Sequence, residues 1–213
     1  MKERPILFSG PMVRALLDGT KTQTRRILKL KPGFDVEERD DGTLWPWAEH
    51  PDCDDDVWMP CPQGEIGDQL WVRETWAYGI HAMAAERDED GPFVYAADGT
   101  TQGRLCDRWT PSIHMPRWAS RILLDIKAVR VERLQDISEA DAIAEGIEKT
   151  ANGFWSLYGT ADVDGTYSPR SSYRALWESI SGPGSWDANP WVWVVEFERA
   201  QAQQKGPQHA DPA

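Results

Sequence analysis

Gly19-Thr20-Lys21-Thr22-Gln23-Thr24-Arg25-Arg26 follows a short amphipathic run, Pro11-Met12-Val13-Arg14-Ala15-Leu16-Leu17-Asp18. Val13, Leu16 and Leu17 recur at helical spacing, which predicts a helix of about two turns. Pro11 suits its first turn and Gly19 its C-terminal end. Beyond Gly19 stand an amine, a hydroxyl and two guanidinium groups, on Lys21, Thr24, Arg25 and Arg26. A lysine and a threonine three residues apart face the same way if the turn stays helical.

Working outward, Pro5-Ile6-Leu7-Phe8 reads as a strand before the helix, and Ile27-Leu28-Lys29-Leu30 as a strand after the basic stretch, broken by Pro32-Gly33. Further on, Gly67-Asp68 signals a turn into Leu70, Val72, Glu74 and Trp76, which alternate with Trp71, Arg73 and Thr75. Glu74 falls on the apolar face. An inward carboxylate must find a partner or change its pKa. Two readings stand side by side: a pair with a core arginine, or a site carboxylate facing Lys21.

Gly19-x-Lys21-x-x-Thr24-x-Arg26 resembles the signature of the ASCH superfamily, a relative of the PUA-like RNA-binding domains. Gly67 to Trp76 is similar to the strand that carries an acidic residue in that family. The resemblance covers roughly residues 5–30, 64–78, 118–149 and 171–199, and its longer members are common in phage and prophage genomes. It implies an α+β fold with a PUA-like small mixed or antiparallel β-barrel of about five or six strands and short flanking helices, which the scattered β runs without βαβ alternation also favour. Small members of the family are amidohydrolases that remove the acyl group from N4-acetylcytidine. Their lysine, threonine and strand glutamate fall on Lys21, Thr24 and Glu74.

The chemistry of these groups is consistent with metal-free amide hydrolysis. A lysine acts as a base only if its pKa falls. Burial and the neighbouring Arg25 and Arg26 push it down, and an ionised Glu74 pulls it up. A neutral Lys21 would take the Thr24 proton, the hydroxyl would attack the acyl carbon, and Arg26 would steady the oxyanion. Glu74 would orient the lysine or carry the proton to the leaving nitrogen. Arg25, Arg26, Arg73 and Trp76 are the candidate substrate-binding residues. A different class of function fits the same residues: a module that holds RNA or a modified nucleotide without chemistry, its arginines on phosphate and its tryptophans stacked on a base. A third is a phage structural or regulatory protein that keeps the fold for interactions.

Composition narrows the partners. The net charge is −12, yet residues 1–31 hold eight Lys and Arg against two acids, while residues 35–68 hold twelve acids against one arginine. Long duplex nucleic acid calls for a broad basic surface, which is missing; a small basic pocket suits a nucleoside or a short single strand of RNA. No run of eighteen apolar residues exists, so no membrane span is expected. Met1-Lys2-Glu3-Arg4-Pro5 lacks a hydrophobic signal core, and the expectation is a cytoplasmic protein. Three cysteines, Cys53, Cys61 and Cys106, argue against a disulfide framework. His50-x-x-Cys53 with Cys61 is a poor metal pattern, and neither a P-loop nor a dinucleotide fingerprint occurs, so no cofactor is expected.

The remaining chain reads as one domain over residues 1–199, with loop insertions at about 33–62 and 78–116 and a disordered tail at 200–213. Residues 33–62 look like an acidic loop pinned by Trp45, Trp47 and Trp58, with a lid over the pocket as the functional alternative. In the second insertion Phe93 to Ala96 suggests a strand, with Asp98-Gly99 turning it into a hairpin, and His114 is a possible pocket donor. Ile122, Leu124 and Ile126 alternate, but Val129 and Val131 fall out of phase, which predicts a bulge near Ala128. Ser138-Glu139-Ala140-Asp141 is a capping box that opens a helix ending at Gly146. Ser168-Pro169 opens another, with Tyr173, Leu176, Trp177 and Ile180 on its apolar face. Trp191 to Phe197 reads as a final strand central to the sheet.

Overall fold

A computed structural model describes residues 1–50, 56–79, 91–99, 106–158 and 164–200. The elements in chain order are β1 (Glu3–Leu7), α1 (Gly10–Leu17), β2 (Gln23–Ile27), β3 (Asp35–Glu38), β4 (Leu44–Glu49), β5 (Asp56–Trp58), β6 (Gln69–Arg73), β7 (Trp76–Tyr78), β8 (Phe93–Tyr95), β9 (Leu123–Arg133), α2 (Glu139–Ala144), α3 (Pro169–Ser181) and β10 (Trp191–Arg199). Five strands form the main sheet in the order β1-β6-β9-β10-β2. Only the β1–β6 pair is parallel. The protein is therefore α+β with mostly antiparallel pairing. The ladder does not close into a barrel: β1 and β2 are its two edges.

β10 is the strand both layers are built on. Trp193, Val195 and Phe197 face one core, with Ile6, Phe8, Leu16, Leu70, Val72 and Leu124. Val192 and Val194 face a second core, with Leu134, Tyr173, Leu176, Trp177 and Trp186. A strand covered on both faces reads as a continuous apolar run, as Trp191 to Val195 does. The β9–β10 register shifts so that Glu196 pairs with Ala128 and Phe197 with Ile126, leaving Lys127 as the extra residue. That is the expected bulge. It lets Ile122, Leu124, Ile126 and Val131 join one core despite the break in alternation.

Both capping predictions hold. The Ser138 hydroxyl accepts from the Asp141 N–H at 3.0 Å at the start of α2, and the Ser168 hydroxyl accepts from the Ser171 N–H at 3.3 Å at the start of α3. Tyr173, Leu176 and Trp177 are buried, but Ile180 is 60% exposed near the helix end.

Two expectations need correcting. The strand after the basic stretch begins at Gln23, inside it, and ends at Ile27. The first insertion is not a loop: β3, β4 and β5 form an antiparallel three-stranded sheet, which docks its Trp45 on Trp193 with ring centroids 4.9 Å apart. In the second insertion β8 is the expected strand and pairs with β7, Ala96–Asp98 forms a 3-10 turn ending at Gly99, and the chain that would continue a hairpin lies outside the described residues. Among the described residues no helix is long and apolar enough to cross a membrane. Cys53 and the tail from residue 201 lie outside the described residues.

Candidate functional site

The chain leaves α1 at Asp18, and Gly19 takes φ +73, so the turn does not stay helical. Lys21 then bridges Glu145 just past α2, and β2 begins at Gln23. In extended chain side chains alternate, so Lys21, Gln23 and Arg25 point one way while Thr24 and Arg26 point the other. Cross-strand neighbours agree: Arg25 lies opposite Val194 of one core, and Thr24 and Arg26 opposite Val195 and Trp193 of the other. The expected Lys21–Thr24 face does not form, because the relevant period is two rather than 3.6.

The Lys21 side is an ion network. Lys21 is 2% exposed. Its Nζ donates to Gln23 O at 2.9 Å, Glu145 O at 2.7 Å and Glu145 Oε2 at 2.9 Å. All three ammonium hydrogens are used. Burial pushes its pKa down, and Glu145 opposes that. Arg25 pairs with Glu132, with Glu145 at 3.2 Å and with Asp141 at 3.5 Å. The Gln23 amide donates to Asp141 O and Oδ1. Gly146 makes the approach possible. Its φ is +79, and a Cβ there would lie 2.8 Å from the Cβ atoms of both Ala15 and Lys21.

Glu74 is placed elsewhere. It is 1% exposed and accepts from Arg121 Nε at 2.9 Å and Nη2 at 3.1 Å, and Arg121 also holds Asp98. Burial pushes its carboxyl up, and the Arg121 fork opposes it. Of the two open readings, the structure realises the core arginine: Lys21 and Glu74 make no ion pair with each other. Arg73 donates to the carbonyls of Met115, at 3.1 Å, and Ile113, and packs on Trp71. Trp76 is buried in an aromatic group with Tyr78, Phe93 and Trp118. Neither lines a cavity with Thr24. His114 is exposed.

Thr24, Arg25 and Arg26 do share a cavity. It measures about 280 Å³ and lies along the β2 edge, walled by Met12 of α1, Glu145, and Tyr173, Leu176 and Trp177 of α3. Arg25 and Glu145 are paired in the ion network, but other polar groups of its wall are not. The Arg26 Nη2 donates to Leu7 O at 2.8 Å, and its guanidinium sits 5.4 Å from the Phe8 ring centre, but no carboxylate pairs with it among the described residues. Burial pushes its pKa down. The Trp177 indole N–H is buried with no partner. The hydroxyls of Thr24 and Tyr173 make no hydrogen bond among the described residues. The buried Trp177 N–H is costly to leave unpaired, and it is what a polar ligand in the cavity would satisfy. Tyr173, Trp177 and Glu145 escaped sequence reasoning. The first two were legible as a helix face but read as core; Glu145 carried no local signal.

Among the described residues no group of three or more His, Cys, Asp and Glu side chains is placed to hold a metal ion. Comparison with family models, with curated proteins and with solved structures finds no match.

Proposed function

We propose that the β2–α3 cavity binds a nucleoside or modified nucleobase, and that the chain is a PUA-like reader of such a group. The observation that carries this is Arg26: a half-buried guanidinium with no carboxylate at ion-pair distance among the described residues, on the edge strand that lines the cavity facing Tyr173 and Trp177. A planar ligand with a carbonyl or phosphate oxygen would take the free Arg26 donors and the Trp177 N–H. Its ring would pack on the aromatic wall. The edges of the open sheet, tied where Arg26 reaches Leu7 O, favour the PUA-like reading over a flat sheet.

A second reading, removal of an acyl group from an N4-acylcytidine, is favoured by one observation. The unbonded Thr24 hydroxyl and the Glu145 residue that holds Lys21 both line this cavity. In this chain Glu145, not Glu74, would be the carboxylate that works with the lysine. Hydrolysis consumes one water and yields the amine and a carboxylic acid, with no cofactor.

One experiment separates the readings. The protein is titrated with cytidine and N4-acetylcytidine by calorimetry, and the N4-acetylcytidine mixture is then chromatographed for cytidine. Binding without cytidine formation, weakened at least about tenfold by Arg26→Ala, supports the reader. Cytidine formation that Thr24→Val abolishes makes it a hydrolase. No binding by any nucleoside or modified base sinks both.

A further inference from the structure

The β2–α3 cavity is not isolated. It shares Ile27 and Lys29 with a neighbouring cavity of about 390 Å³, which in turn shares Arg4, Met59, Pro60 and Cys61 with a third of about 660 Å³. Shared walls make one groove, running from Thr24 past Trp193 to Trp58. Arg26 and Lys29 line the first cavity, Lys29, Lys31 and Arg4 the second, and Arg4, Lys2 and Arg39 the third. Of these six, Arg4 alone has a carboxylate at ion-pair distance among the described residues, Asp68 at 3.8 Å, and its Nε is buried without a partner. Asp41, which faces Arg39 electrostatically, and Glu65 also line the far cavity, so the cations outnumber the acids along the groove without standing alone.

The far end of the groove is aromatic. The Arg39 guanidinium lies 3.9 Å from the ring centre of Trp45 and 4.9 Å from that of Trp58. Trp45 is fastened by its indole N–H to Met59 O at 2.9 Å and by its contact with Trp193. Trp58 makes no side-chain hydrogen bond among the described residues. On the other side of Arg39 and Trp58 the wall turns acidic, with Glu37, Glu38, Asp40, Asp41 and Asp56, where a polyanion is repelled.

We propose that the β3–β5 sheet supplies a second binding site, the Trp58–Arg39–Trp45 stack, for a single strand of nucleic acid whose other end occupies the β2–α3 cavity. This rests on the nucleoside reading of that cavity. Cations spaced along a groove that ends in ring faces match a chain of phosphates carrying planar bases. A duplex does not fit such a groove, and the acidic wall past Trp58 sets where the strand stops. The insertion thus makes the ligand a short polymer rather than a free nucleoside.

The test is a length series of single-stranded oligocytidylates, from one to about eight nucleotides, as RNA and as DNA. Binding is read by fluorescence anisotropy and by quenching of tryptophan emission. Affinity should rise with length and then level off. Trp58→Ala should remove roughly 5- to 150-fold of the gain for the longer strands and leave nucleoside binding unchanged. Lys31→Ala should lower the salt slope of oligonucleotide binding by about 0.7, without touching the nucleoside. Nucleoside binding that does not strengthen with length overturns the groove and leaves the cavity reading intact. A length gain that ignores both substitutions also overturns it. A length gain sensitive to Trp58→Ala but indifferent to Arg26→Ala keeps the groove and removes the cavity reading. No binding of either ligand removes both.

Discussion

Glu145 holds the most consequential residue of the basic stretch. It accepts from Lys21 through its backbone and its carboxylate, and its other carboxylate oxygen faces Arg25. Removing one member of a buried pair leaves the other charge stranded, which typically costs about 3–5 kcal/mol. Glu145→Ala should cost an amount in that range, because Lys21 then sits beside Arg25 and Arg26 with no anion. Lys21→Met should cost less, because Arg25 still neutralises Glu145. Urea unfolding of both variants checks the order, and the reverse order would mean that Arg25 does not share the charge. Activity lost in Lys21→Met must therefore be read only after its stability is known. The Glu74 carboxyl gives a pH-dependent test. Its folded pKa is raised by burial, so its contribution is present below its ordinary value near 4.5 and is lost as pH rises through the folded value. In Arg121→Met the opposing cation is gone and the folded value climbs further. The stability gap to the parent should thus be small near pH 4.5 and widen toward neutrality, and Glu74→Gln in the same background should flatten it. A gap independent of pH would show that Glu74 does not titrate there. Glu74 was legible as an inward carboxylate because strand alternation is local. The Lys21 partner was not, because 124 residues separate it from Glu145 and nothing between them encodes the meeting.

At the scale of elements, legibility followed how much each element's pattern owes to its own residues. The bulge in β9 was written as a phase change between Ile126 and Val129, and Lys127 is the residue it sets aside. Deleting Lys127 would leave Ile126 and Ala128 consecutive opposite Phe197 and Glu196, so the ladder would close without the bulge and Leu124, Ile126, Val129 and Val131 would share one face. We expect the deletion variant to keep a cooperative thermal transition by circular dichroism, at a cost set by the lost bend of β9 rather than by lost register. Lys127→Ala, which removes only a half-exposed pair with Glu198, should stay within about 0.5 kcal/mol of the parent. A deletion variant without a cooperative transition would show that Lys127 does more than fill the bulge. The β3–β5 sheet was missed for equally physical reasons. β3 is Asp35-Val36-Glu37-Glu38, poor in strand-favouring residues, and β4 carries Pro46, which cannot donate to a ladder. The sheet forms because its pairing sets Trp45 opposite Glu37 and Trp47 opposite Trp58, and because Trp45 docks on Trp193. Local propensity lost to tertiary contact. The basic stretch failed differently. Its residues were identified, but their period was taken as helical, and Gly19 at φ +73 is where the helix gives way to extended chain.

Across the whole molecule, the two hydrophobic cores cannot be separated without unmaking β10. The strand gives Val192 and Val194 to one core and Trp193, Val195 and Phe197 to the other. It also pairs with β9 on one side and β2 on the other, so the N-terminal strand pair and the helical layer both depend on it. Reading residues 1–199 as one unit with insertions rested on finding no second periodic core, and this shared strand is the physical basis for treating it so. The consequence is cooperative unfolding. Leu176→Ala on the α3 side should cost about 2–5 kcal/mol, and Phe197→Ala on the opposite side about 3–5 kcal/mol. Each should lower one and the same transition, because melting either core exposes the apolar face of β10 that the other core needs. Far-ultraviolet circular dichroism reports the sheet and helices, and tryptophan fluorescence reports Trp177 and Trp186 in one core with Trp193 in the other. The two signals should superimpose for the parent and for both variants, which is the signature of two-state behaviour. A Leu176→Ala protein whose α3 layer melts while β1, β6 and β9 stay protected from hydrogen exchange would divide the chain into two folding units. The β2–α3 cavity would then lie at a seam able to open without global unfolding.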